Sequence, residues 1–413
     1  MPVLDRPRDG DRTPSRVAYL DGIRGLAALY VALHHAALMV PSSGLSGPGL
    51  VVRFLLRHGH SAVAVFIVLS GYCLMLPRVR EPAPHRSLDL GRYFVRRGRR
   101  ILPGYLAALL GSLALIAWLP ELGRVSRSPW DRALPATGAG VVVSHLLLIH
   151  NLHETWFYKI DPPLWSVATE WQIYWLFPGL VVIWRRFGRA AVVASGFALG
   201  FGVAVLASPL RNPALRELCP WFIGLFTLGM VAALTAHRDR GVSERVPRSR
   251  RSQVAATVLL VLFALLLAGF AISSTDDPRF MMADPFVGVV TAGLLVRWAR
   301  RSAPGETRPR PPLLRWLEWP WVLRLGTFSY SLYLIHYPLL ALGNAWLRRW
   351  PLGQEVRFWA LILGGSPVIL QAASLFHRVF ERPFQSVRGG SPLAEETHLA
   401  TQREAKPELS SIS

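Results

Sequence analysis

The chain has 413 residues, 52% of them hydrophobic, and its mean hydropathy is positive. That is too apolar for an ordinary soluble protein of this size, and several runs are long enough to cross a bilayer, which takes about 20 residues. The formal net charge of +21 is almost entirely arginine, since only Lys159 and Lys406 are lysines. It lies between the apolar runs, where membrane topology and anionic headgroups account for it better than nucleic acid does.

In chain order, the polar residues 1–16 form a cytoplasmic segment carrying Arg6, Arg8, Arg12 and Arg16, with no cleavable signal peptide. Apolar segments follow near 17–40, 59–76, 101–119, 138–151, 164–184, 190–208, 219–236, 254–272, 283–299, 322–343 and 356–380. The segment 138–151 is short of the roughly 17 residues a span needs. Reading it as re-entrant places Arg185, Arg186, Arg189 and the arginine-rich loops 237–251 and 297–315 on the cytoplasmic side, as the positive-inside bias asks. The expected fold is therefore all-α, a polytopic membrane helix bundle of about ten transmembrane helices with both termini cytoplasmic. Eleven crossings is the disfavoured alternative. The membrane domain is expected over 17–384, and the polar tail 385–413 reads as disordered. Gly188 and the prolines Pro247, Pro309, Pro311 and Pro312 mark polar connections. Cys73 and Cys219 lie in or beside spans and have neither disulfide nor zinc spacing.

Four stretches carry groups that are expensive inside a membrane. The first span, YLDGIRGLAALYVALHHAALMV, holds Asp21, Arg24, His34 and His35. Arg24 and His35 are eleven residues apart, which is only ~20° from three whole turns with ~16 Å of rise, so they share a helix face that His34 does not. A histidine there suits general-base work on a hydroxyl. The bland alternative is a buried imidazole bonded to a neighbouring helix and an arginine snorkelling to the headgroups.

In GRYFVRRGRRILPGY, Arg97 and Arg100 share a face, as do Arg96 and Arg99, which suits phosphate binding or simple topology anchoring. PPLWSVATEWQIYWLFP places Ser166 one turn before Glu170, a carboxylate that needs a partner, with Trp165 at the span's end in an interface-anchor position. LGTFSYSLYLIHYP brings Ser329, Tyr330, Ser331, Tyr333 and His336 into one span, where the serines also serve as interhelical glue. The second span adds His60, Ser70 and Gly71, small residues that permit close packing. No G-x-S-x-G elbow, HExxH, Walker or dinucleotide motif is evident.

Five segments, LDGIRGLAALYVALHH, VFIVLSGYCL, RYFVRRGRRILPGY, LWSVATEWQIYWLFP and LGTFSYSLYLIHYP, resemble in order and spacing the acyltransferase-3 family. These are integral-membrane O-acyltransferases of bacterial envelopes and some antibiotic pathways, and the likeness covers about residues 19–385. The resemblance implies ten transmembrane helices, an essential Arg24–His35 pair, and an arginine pair, Arg97 and Arg100, that meets acyl-CoA. Ser166 and Glu170 match the family's WSL-x-x-E segment, and Tyr330 and His336 its YSLYL-x-H segment. Relatives often have two successive acidic residues where this chain has Glu170 followed by Trp171. Many also carry a C-terminal SGNH domain, so a stand-alone form is expected.

The implied activity is transfer of a short acyl group, acetyl being the expected one, from cytoplasmic acyl-CoA to a hydroxyl of a carbohydrate, envelope component or secondary metabolite at the bacterial cytoplasmic membrane. His35, Arg24 and Glu170 are then the catalytic candidates, and Arg97, Arg100, Asp21, Ser166, Trp165, Tyr330 and His336 the substrate-binding ones. Acyl-CoA is a co-substrate, and no permanent cofactor, metal or nucleic-acid partner is expected. The rival class is a transporter or flippase in which Arg24, His35 and Glu170 relay protons.

Overall fold

A computed structural model describes residues 17–80, 88–207, 218–237, 283–302 and 309–385. The apolar segment 254–272, the N-terminal residues 1–16 and the tail beyond 385 lie outside the described residues. Those that are described form helices and connecting turns, with no strand among them.

The first helix, α1 (Ala18–Leu38), is followed by the short α2 (Gly47–Leu55) and by α3 (Gly59–Arg80). α4 (Leu90–Trp118) starts where the Asp89 carboxylate accepts the Arg92 backbone N–H at 2.9 Å, satisfying one orphan donor of its first turn. The single turn α5 (Pro120–Gly123) and α6 (Ala139–Leu146) come next. α6 has 8 residues, about 12 Å of rise, so the segment 138–151 holds no helix able to cross a bilayer.

α7 (Leu164–Ala207) runs 44 residues, which as one rod would be about 66 Å, twice a hydrocarbon core. It is broken at Gly188, whose φ of 88° belongs to the left-handed region that glycine reaches without a Cβ penalty. The turn expected at that glycine is therefore present. Then follow α8 (Phe222–Ala236), α9 (Asp284–Arg301), α10 (Pro312–Leu317), α11 (Pro320–Thr327), α12 (Ser329–Leu347) and a closing helix α13 (Gln354–Gln385). Among the described residues three helical stretches are long and apolar enough to cross a membrane, Gly47–Arg80, Leu90–Trp118 and Gln354–Gln385. The protein is thus a helical membrane protein, and prolines within α3, α4, α7 and α12 are the kind of helix breaker that such bundles tolerate.

Glycine sets how closely the helices meet. α1 packs on α3, α10, α11 and α12, and a Cβ at Gly25 or Gly326 would strike the backbone of the opposing helix. α3 and α8 meet in the same way, Gly71 against the Phe226 carbonyl and Gly229 against the Val68 carbonyl. With hydrocarbon outside as well as inside, such small-residue contacts supply the van der Waals packing that holds membrane helices together. α12 is tied to α13 by polar contacts at one end, where buried Glu381 accepts from Ser331 Oγ at 2.7 Å and pairs with His377 Nδ1 at 2.8 Å.

Gly71→Ala should lower the midpoint of thermal unfolding in detergent, because overpacking against a rigid carbonyl costs about 1–3 kcal/mol. Gly111→Ala, at a position with nothing within 4 Å, should leave the midpoint unchanged or raise it. Fluorescence-detected melting of the two variants checks this.

Candidate active site

α1, α3, α4, α7 and α12 line a cavity of about 790 Å³, part of which is open to the outside. Its wall carries three guanidiniums, those of Arg24, Arg97 and Arg100, against one carboxylate, Glu170. Arg24 is held by Asp21 on its own helix, Nη1 to Oδ1 at 3.5 Å. Arg97 lies over the Tyr174 ring with its Cζ 5.9 Å from the centroid, a cation–π placement. Its buried Nε has no hydrogen-bond partner among the described residues. Arg100 lines the cavity and stays exposed. The i, i+3 pairing of Arg97 with Arg100 thus brings both to one chamber, whereas Arg96 and Arg99 point to the exposed side.

Glu170 finds a phenol rather than an arginine. Tyr174, one turn on, donates its hydroxyl to Glu170 Oε1 at 2.5 Å, and Ser70 Oγ lies 2.8 Å from the same phenol oxygen. With the phenol proton committed to the carboxylate, Ser70 is the donor to Tyr174. Tyr93 fixes the helix from behind, donating to the Tyr174 carbonyl at 3.0 Å. Ser166 is buried and bonded to Tyr333 Oη at 2.6 Å, and Tyr330 donates to the Ile101 carbonyl at 3.1 Å. Six of the expected residues, Arg24, Arg97, Arg100, Ser166, Glu170 and Tyr330, line this one cavity.

The other four do not line it. Asp21 reaches it only as the ion-pair partner of Arg24. Trp165 is half-buried, 5.6 Å from Phe157, 6.2 Å from Phe222 and stacked on His60 at 6.1 Å, so it packs inside the protein and is not an interface anchor.

His35 and His336 pair with each other further along α1, Nδ1 of the first to Nε2 of the second at 2.9 Å. His336 Nδ1 faces two carbonyls, Tyr333 at 2.7 Å and Leu332 at 3.1 Å, and carbonyls only accept. With both rings neutral, His336 carries its proton on Nδ1 and must accept at Nε2. His35 therefore donates from Nδ1, which leaves the Nε2 lone pair of His35 free. Tyr337 meets the His35 ring edge-on at 5.0 Å. His34, on another face as its spacing requires, is bonded to the Leu56 carbonyl at 2.7 Å and lies against Gly59.

Tyr333 joins the two halves, its side chain in the cavity wall and its carbonyl on His336. It and Tyr174 are the residues the sequence reading passed over as functional. Their signal was spacing, Glu170–Tyr174 at i, i+4 and Tyr330–Tyr333–His336 at successive i, i+3 steps.

A helical membrane bundle with an arginine-lined chamber and an oriented imidazole is the class this geometry defines. The chain belongs to the acyltransferase family, matching its acyltransferase domain over residues 17–377. It is 27% identical over 425 residues to the acyltransferase MdmB of Streptomyces mycarofaciens, covering 95% of this chain and 97% of that protein. It is 24% identical over 384 residues to the peptidoglycan O-acetyltransferase OatA of Listeria monocytogenes, covering 89% of this chain and 56% of the relative. To the O-acetyltransferase OatA of Staphylococcus aureus it is 23% identical over 350 residues, covering 81% and 52%. The chain spans about half the length of most of the curated relatives it matches. No solved structure matches it.

Arg97→Ala or Arg100→Ala should weaken binding of a nucleotide bisphosphate, each by roughly ten- to a hundredfold, since a charge-assisted hydrogen bond contributes ~1.5–3 kcal/mol. Arg96→Ala and Arg99→Ala should leave it unchanged. Calorimetric titration of the detergent-solubilised protein separates the two pairs.

Proposed function

We propose that the protein is a membrane O-acyltransferase that moves a short acyl group, acetyl in the first instance, from acyl-CoA to a hydroxyl. The observation that carries this reading is the His35–His336 pair beside a chamber of three arginines and one carboxylate. Arg97 and Arg100 meet the phosphates of the donor, where planar guanidiniums bind bidentately. Arg24 lies on the same chamber wall, and ~16 Å of helix rise separates it from His35. An extended thioester arm would span that separation, with the chamber wall at Tyr333, whose carbonyl holds His336, opening to admit it.

In the transfer step the acceptor hydroxyl attacks the thioester carbonyl carbon and gives its proton to His35 Nε2. The new C–O bond forms, the C–S bond breaks, and the proton passes from His35 to the departing CoA thiolate. General-base help of this kind contributes typically about 10²–10⁴ in rate. His336 is a positioning residue: it holds His35 in the tautomer whose Nε2 can accept. Arg24 steadies negative charge near the donor. Glu170, with Tyr174 and Ser70 behind it, keeps the arginine chamber ordered and orients the donor.

Ten crossings with both termini cytoplasmic, in a bacterial cytoplasmic membrane, put the arginines on the side where acyl-CoA is made. The arginine loops and the 8-residue α6 support that topology. The acceptor is a hydroxyl of an envelope carbohydrate or a secondary metabolite. The peptidoglycan O-acetyltransferase named among the relatives supports the first, and near full-length similarity to a Streptomyces acyltransferase supports the second.

With radiolabelled acetyl-CoA and the purified protein in nanodiscs, His35→Ala should lose at least about 100-fold in acyl transfer at unchanged protein level. His336→Gln, which keeps an acceptor for His35 Nδ1, should retain more activity than His336→Leu. Wild-type levels of transfer in His35→Ala would remove the proposed base.

A further inference from the structure

Outside the chamber, a second polar cluster gathers where α3, α8 and α9 begin. His60 is the second residue of α3, Cys219 lies in the turn before α8, and Asp284 opens α9. His60 Nε2 is 2.8 Å from Asp284 Oδ2 and 4.0 Å from Cys219 Sγ, and one donor atom from each of the three side chains lies within 4.8 Å of the others. We propose that these three side chains bind one divalent transition-metal ion of the zinc class. The proposal does not rest on acyl transfer.

The donor chemistry is specific. One thiolate, one imidazole and one carboxylate suit a borderline ion such as zinc, whereas magnesium and calcium take oxygen donors. Around a tetrahedral zinc with ligands at about 2.0–2.3 Å, the donor atoms sit some 3.3–3.7 Å apart. Reaching that spacing takes about half an ångström at the nitrogen–oxygen pair and somewhat less at the sulfur–nitrogen pair, with the sulfur–oxygen gap, now within 4.8 Å, drawn in by side-chain rotation.

Asp284 supplies the independent observation. The residue is fully buried (0% exposed), Oδ2 already receives the Trp221 indole N–H at 3.0 Å, and Oδ1 is buried with no hydrogen-bond partner among the described residues. An unsatisfied buried carboxylate oxygen is costly and calls for a ligand. Trp221 does for this carboxylate what outer hydrogen bonds do at metal centres, fixing the ligand's orientation. Trp165 stacks on His60 at 6.1 Å and Phe222 lies tilted against it at 5.8 Å, so aromatic rings hold the imidazole in place. The His60 side chain nonetheless keeps 18% exposure, which leaves a fourth coordination position open to a small oxygen ligand. Residues 60, 219 and 284 are too far apart in sequence to form a spacing motif, which is why the sequence suggested no metal.

The test starts with the full chain purified in nanodiscs without chelator. Elemental analysis should find about one zinc per chain. After stripping and reloading with Co²⁺, the wild type should show visible d–d bands and a near-ultraviolet sulfur-to-cobalt band. Cys219→Ser should remove the near-ultraviolet band. His60→Ala and Asp284→Asn should each weaken cobalt binding at least about tenfold, in line with the loss of a ligand. Cys73→Ser should change nothing. Substoichiometric zinc in the wild type together with a cobalt spectrum indifferent to Cys219→Ser would overturn the proposal and leave a His60–Asp284 hydrogen bond beside a small apolar cysteine. Because the first measurement uses unmodified protein, a variant that fails to fold does not spare the proposal.

Discussion

A polar side chain inside a helix bundle surrounded by hydrocarbon has no water to turn to, and the site of this protein is arranged by that constraint. The imidazoles and the carboxylate of the site are answered by another helix or by their own. His336 gives its Nδ1 proton to carbonyls of its own turn, and this alone decides that its other nitrogen accepts. The tautomer of His35 follows from that, although the two residues are 301 positions apart. Glu170 is answered by Tyr174 on its own helix, which is answered by Ser70 on a second. The arginines of α4 are the exception. Arg97 and Arg100 face a chamber with a single carboxylate, which leaves its wall a surplus of positive charge.

The packing that allows these contacts is made by residues with almost no side chain. α1 sits among α3, α10, α11 and α12 because Gly22, Gly25 and Gly326 let backbones touch. A wider separation would carry His35 away from His336, whose hydrogen bond tolerates only a few tenths of an ångström. Helix contact and site geometry are therefore the same constraint seen at two scales.

Much of this was legible in the sequence. Arg24 and His35 share a face through spacing alone, Arg97 and Arg100 do so likewise, and Gly188 marks the break in a helix otherwise too long for a bilayer. The shortness of 138–151 also told against a crossing there. What helical periodicity does not carry is which face meets which. It put His35 in one chamber with Arg24, whereas the imidazole lies beyond that wall and pairs with α12. It made Trp165 a membrane-interface residue because tryptophan at a span's end usually is one; here the ring is claimed by His60, Phe157 and Phe222. Tyr333 looked like one hydroxyl among several, since its joining role needs both its ring and its carbonyl to be placed in space.

The Asp21–Arg24 pair has a bearing on how the protein is made. Its partners stand three residues apart on one helix, so the ion pair forms as soon as α1 is helical and needs no other segment. Every other polar contact of the site waits for α7 or α12, and α12 begins at Ser329, when more than three quarters of the chain has left the ribosome. A span carrying an arginine must survive in lipid through that interval. By bringing its own counter-charge, the first helix enters the bilayer already neutralised, and the site is assembled later around a residue that has been safe since insertion.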